Sequence, residues 1–129
     1  MKPLARRSWT HIAVAFLAMG GWAVFANRAH PMPQPLVAGV VQGALSGAIT
    51  FVLKRMVEAV AARASGASAL VLPPLIAVAL SLAILVTIHT LAGTPEIAAT
   101  IALPASVTAL YSTLYAIALW RAGRTTPQG

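Results

Sequence analysis

The chain has 129 residues, of which 59% are hydrophobic and only 9% charged, with a formal net charge of +7. A soluble domain carries about 25% charged residues to wet its surface, so most of this surface is expected to face something other than water. The basic residues sit in short clusters between long apolar runs, which argues for a lipid bilayer and against a nucleic-acid partner; the lack of cysteine excludes disulfides, thiolate catalysis and cysteine metal sites.

Residues 1–8 (MKPLARRS) form a short basic tail, and residues 9–26 (WTHIAVAFLAMGGWAVFA) follow without a formal charge when His11 is neutral. That length suffices for a spanning helix, and Trp9 and Trp22 stand where amphipathic rings favour the headgroup level. The competing reading is a secretory signal, with a cleavage site at Val24-Phe25-Ala26 and a faint twin-arginine pattern in Arg6-Arg7-Ser8-Trp9. An uncleaved helix is the stronger expectation, since signals usually deliver a soluble domain and none follows.

Residues 27–35 (NRAHPMPQP) cannot continue a helix, because their prolines remove donors and hold the chain extended. Pro35 suits the first turn of the second helix, whose apolar part is expected over 36–53. Beyond Lys54 and Arg55, Met56, Val57, Val60, Ala61 and Ala64 keep a helical spacing, so this helix is predicted to reach about residue 64, either projecting past the bilayer or lying on its surface. Ser65–Ser68 (SGAS) ends it.

Pro73-Pro74 is placed in the first turn of a third span over 73–92. Gly93 is expected to close that helix in a left-handed conformation. Thr94 is expected to cap the fourth, with Pro95 at its first position and Glu96 in its first turn. The tight link makes the third and fourth helices antiparallel neighbours. The fourth span, 97–120, ends at Trp120 before a basic tail. The fold class is therefore all-α, a polytopic membrane protein of four transmembrane helices in one domain. Ile12-Ala13-Val14-Ala15 recurs as Ile76-Ala77-Val78-Ala79, and Pro35 opens the second span as Pro95 opens the fourth. Two repeated helical hairpins would account for both, although four-residue matches arise easily in so apolar a chain.

Of the nine Lys and Arg residues, all but Arg28 fall in the N-terminal tail, the 54–68 segment and the C-terminal tail. A four-span chain puts these three segments on one side, so both termini are expected in the cytoplasm, in a bacterial-type inner membrane. Small fluoride channels and small multidrug transporters have this length and span count. The central membrane-embedded glutamate of the latter and a fluoride-channel motif are both missing, so no family is assigned.

At 100° per residue, Gly39, Gly43, Gly47, Gln42, Ser46 and Thr50 fall within about 140° of one another on the second helix. Glycines at spacing four permit close helix approach, and helix packing is the commoner role of such stripes. The alternative is a polar pathway along Gln42, Ser46 and Thr50. On the fourth helix Thr100, Pro104, Thr108, Tyr111, Ser112 and Tyr115 share about 120°, and Pro104 is expected to kink the helix and free the carbonyl of Thr100. The two stripes would meet as a polar seam. His89, near the outer end of the third helix, is the clearest intramembrane ionisable group, a functional candidate by default. It could equally sit neutral at the interface, and a lone histidine is weak evidence for haem or quinone ligation. No nucleophile–base pair, paired carboxylates or phosphate-cradling loop is present, so neither an enzyme nor a cofactor is expected.

Two function classes follow. The first is a non-catalytic membrane subunit or scaffold that associates, as a homo-oligomer or in a larger membrane complex, through the glycine-rich face. The second is a small oligomeric transporter or channel that uses the polar faces of the second and fourth helices.

Overall fold

A computed structural model of the chain describes residues 2–125, with side chains described over residues 9–123. Its elements are α1 (Lys2–Ala26), α2 (Gln34–Arg63), α3 (Ser68–Ala92) and α4 (Ile97–Thr125), with no strand among the described residues. All four are long and apolar enough to cross a bilayer, as the uninterrupted apolar runs predict. The side chains of Lys2, Arg6, Arg7 and Arg124 and the final residues 126–129 lie outside the described set.

The helices are arranged in the ring order α1, α2, α3, α4, with α4 returning beside α1. α2 packs against all three others, whereas α1 and α3 do not meet among the described residues. The arrangement is that of two antiparallel hairpins, and the two Ile-Ala-Val-Ala copies fall on α1 and α3. The α1–α4 seam is looser than the α2–α3 seam opposite. The buried side of α3 is a strict every-fourth stripe, Ala69, Pro73, Ala77, Ser81, Leu85 and His89, which is one face of an α-helix. α4 answers with Thr100, Pro104, Thr108, Ser112 and Ala116, also buried at spacing four. Ile49, Leu53, Val57, Ala77, Leu85 and Ile101 form an apolar core that runs along the bundle. The outward faces are rich in Val, Leu, Ile and Phe; for a surface facing acyl chains rather than water these are the expected residues.

Two local expectations are corrected. First, α3 starts at Ser68, so Pro73 and Pro74 lie inside it rather than in its first turn. The five residues before them are helix-compatible, and Ser68 Oγ donates to the Ser65 carbonyl at 2.6 Å to fix the start. The missing proline donors then affect only the carbonyls of Ala69 and Leu70, near the helix start. α2 is one continuous helix of 30 residues, about 45 Å long at 1.5 Å per residue, longer than a hydrocarbon core of about 30 Å, and unbroken between its apolar and basic parts. Second, Thr94 does not cap α4; its hydroxyl turns back to His89.

Gly93 behaves as expected, with φ at 73°. The Gly93 N–H bonds the Thr90 carbonyl and the Thr94 N–H bonds the His89 carbonyl, the paired closure that a left-handed residue permits after a helix. α4 runs unbroken through Pro104.

Candidate functional site

The glycine face of α2 is covered by α1. A Cβ added to Gly39 would lie 2.5 Å from Val24 Cγ2 and 3.1 Å from the Gly20 carbonyl oxygen, and one added to Gly20 would lie 2.8 Å from the Gly39 carbonyl oxygen. At Gly43 it would press into the Phe16 ring at 2.9 Å, whereas at Gly47 it would make an ordinary contact of 3.7 Å with Ile12. Gly39 thus allows backbone approach, Gly43 makes room for the Phe16 ring, and Gly47 merely fills the seam. The partner anticipated for this face was a second protein or a second copy; within the structure the partner is the chain's own first helix. Gly20, which makes the approach mutual, belongs to no repeating pattern in the sequence.

The polar residues beside the glycines point elsewhere. Gln42 and His89 are fully buried, and His89 Nε2 lies 2.8 Å from Gln42 Oε1. An amide oxygen only accepts, so Nε2 carries the ring hydrogen and donates, while Nδ1 accepts from the Thr94 hydroxyl at 2.7 Å. Gln42 Nε2 in turn donates to Ser46 Oγ at 2.9 Å. One donor and one acceptor on the ring are what a neutral imidazole supplies. His89 therefore sits between helices rather than at the lipid interface, with both nitrogens engaged. No group of three or more His, Asp or Glu side chains able to hold a metal occurs among the described residues.

Below this network lies a cavity of about 160 Å³ between all four helices. Its polar lining is Gln42, Ser46 and Thr50 from α2, Ser81 from α3, and Thr108 and Tyr111 from α4; Ala15 and Met19 of α1, Ile49, Leu53, Leu85, Pro104 and Val107 complete the wall. The Thr50 hydroxyl donates to the Ser46 carbonyl at 2.7 Å, and the Ser81 and Thr108 hydroxyls face each other at 3.4 Å. The structure thus brings five of the eight seam residues to one cavity, and adds Ser81. A single serine in an apolar helix gave the sequence reading no signal beyond its spacing of eight residues from His89, which puts the two on one face.

The remaining seam residues part company. Thr100 closes the far end of the bundle, where Asn27 Nδ2 donates to its hydroxyl at 2.7 Å and to the Ala23 carbonyl at 2.8 Å, while Asn27 Oδ1 accepts from the Glu96 N–H at 2.9 Å. Asn27 is fully buried and ties the end of α1 to the start of α4. Trp22 Nε1 donates to the Ala99 carbonyl at 2.8 Å, and His30 Nε2 meets Glu96 Oε1 at 3.1 Å. Ser112 bonds back to the Thr108 carbonyl at 2.6 Å. Tyr115 packs against Tyr111 as a tilted ring pair with centroids 5.8 Å apart, one turn further along α4. Glu58 borders a groove of about 770 Å³ between the ends of α2, α3 and α4, whose other borders include Gly66, Ala69, Leu119 and Trp120.

Polar side chains therefore succeed one another along the bundle, from Thr94 through His89, Gln42 and the cavity to Tyr111, Tyr115 and Glu58. The fold and the site define a multi-pass four-helix membrane protein with a polar interior. No family model, curated protein or solved structure matches the chain.

Proposed function

We propose that the chain is a small non-catalytic transport protein whose central cavity is a station for a solute crossing the membrane. The observation that carries this reading is the convergence of Gln42, Ser46, Thr50, Ser81, Thr108 and Tyr111 on one cavity at mid-bundle. Polar groups inside a bilayer are costly unless they are paired or line a hydrated path. A seam that served packing alone would be filled; here the hydrogen-bonded Gln42, Ser46, Thr50, Ser81 and Thr108 groups border a space. The subunit or scaffold reading loses the surface it rested on, because α1 covers Gly39 and Gly43. Four helices of this size leave room for only a small space between them, partly open to the surroundings, so self-association in the membrane would complete the route.

Transport is tested by reconstituting the purified protein in liposomes and measuring flux over a panel of ions and neutral solutes. Flux above protein-free vesicles is expected, and Tyr111→Phe, which keeps the ring that lines the cavity and deletes its hydroxyl, should lower it by about three- to tenfold. A panel on which nothing moves would sink the reading.

The proposal includes an orientation. Lys54, Arg55, Arg63 and Arg121 lie at the end of the bundle opposite Arg28, and basic residues favour the cytoplasmic side. Both termini are accordingly assigned to the cytoplasm of a bacterial-type inner membrane. A fluorescent-protein fusion at the C-terminus should glow and an alkaline-phosphatase fusion there should be inactive; the reverse pattern would invert the assignment.

A further inference from the structure

We infer that the solute taken by the central cavity is small and uncharged, in the class of three-carbon polyols and simple amides, an inference that rests on the transport reading above. Size is the first argument. The cavity measures about 160 Å³, and an engineered protein cavity of about 150 Å³ holds benzene, so about six non-hydrogen atoms fit.

Charge is the second argument. No Asp, Glu, Lys, Arg or His lines the cavity. An ion brought there would lose its hydration without an opposite charge to offset the loss, and selective ion sites supply that offset with rings of carbonyls or charged side chains.

Hydrogen-bonding capacity is the third. Gln42 engages His89 through its carbonyl and Ser46 through one amide hydrogen, which leaves its second N–H to donate. The 3.4 Å between Ser81 and Thr108 exceeds the usual O–H···O separation of about 2.7–2.8 Å. A ligand hydroxyl or amide can therefore displace that weak contact with two better ones. A polyol or a urea-like amide carries donors and acceptors on a few atoms, and it meets the Gln42, Ser81 and Thr108 groups without a charge. The apolar wall of Met19, Leu85 and Val107 fits its carbon skeleton.

The test uses the full chain in phosphatidylethanolamine–phosphatidylglycerol vesicles. Glycerol and urea entry are followed by stopped-flow light scattering, and proton, potassium and chloride movement by entrapped dyes. Glycerol or urea permeability should rise about tenfold or more over protein-free vesicles while the dyes stay silent. Thr108→Val and Ser81→Ala, each removing one cavity hydroxyl, should cut that rise by about three- to tenfold with helicity and elution volume unchanged. Ion flux that depends on Thr108 would overturn the uncharged class and leave transport standing. Glycerol and urea flux indifferent to both substitutions would remove the cavity from the route. Silence in every channel would take down the transport reading and this inference with it.

Discussion

Gly20→Ala is expected to destabilise the α1–α2 hairpin by about 1–3 kcal/mol, while Gly21→Ala one residue away leaves it unchanged or strengthens it by up to about 1 kcal/mol. The added Cβ at Gly20 would lie 2.8 Å from the Gly39 carbonyl oxygen, a backbone atom that cannot rotate away, whereas nothing stands within 4 Å of the same atom at Gly21. The helices must separate to admit the methyl, and in lipid little hydrophobic drive pulls them back, because acyl chains are as apolar as leucine. At Gly21 only the helix propensity changes, and alanine is the better helix former. Unfolding in mixed micelles, followed by circular dichroism, measures both. The chain has no cysteine, so single cysteines placed on α1 and α2 report separation directly: their crosslinking should fall in Gly20→Ala and persist in Gly21→Ala. Equal losses in the two variants would show that α1 does not sit on the glycine face.

The second large effect is expected at His89. His89→Leu keeps much of the volume but leaves the Gln42 carbonyl and the Thr94 hydroxyl, each bonded only once to the ring, without that partner in a buried site. Transmembrane side-chain hydrogen bonds average about 0.6 kcal/mol and reach about 1.7, and a buried group left unpaired costs about 1–3 kcal/mol. A total loss of about 2–4 kcal/mol is therefore expected. Adding Gln42→Leu should recover part of it, because the orphaned carbonyl disappears with its side chain. Additive losses in the double variant would mean that the two side chains are not coupled. The recovery separates a hydrogen-bonded network from simple packing, which a single substitution cannot do.

The glycine stripe shows how far a sequence reading reaches. A spacing of four places Gly39, Gly43 and Gly47 on one face of α2, since the helical repeat is a local property. What meets that face is not local. Gly20, Val24 and Phe16 belong to another helix, and nothing in their own order marks them as its complement. The polar stripe was legible in the same limited sense. Gln42, Ser46, Thr50, Thr108 and Tyr111 can be assigned to faces of α2 and α4, but a lone serine in the apolar run of α3 carries no such pattern, and Ser81 joins them only in the fold. Asn27 stands at the head of a proline-rich connection in the sequence, and its burial against Thr100 and Glu96 depends on how α1 and α4 meet.

The sequence by itself determined the four spanning helices, their alternation, and the clustering of basic residues at one end. Each follows from run length, prolines, glycines and charge placement, which act over a few neighbouring residues. Only the tertiary structure decided that α1 closes the glycine face, that His89 pairs with a glutamine 47 residues away, and that the α2 and α4 stripes with Ser81 line one cavity. Helical periodicity gives each face a direction on its own axis; the rotation of one helix against the next is set by the packing of all four together.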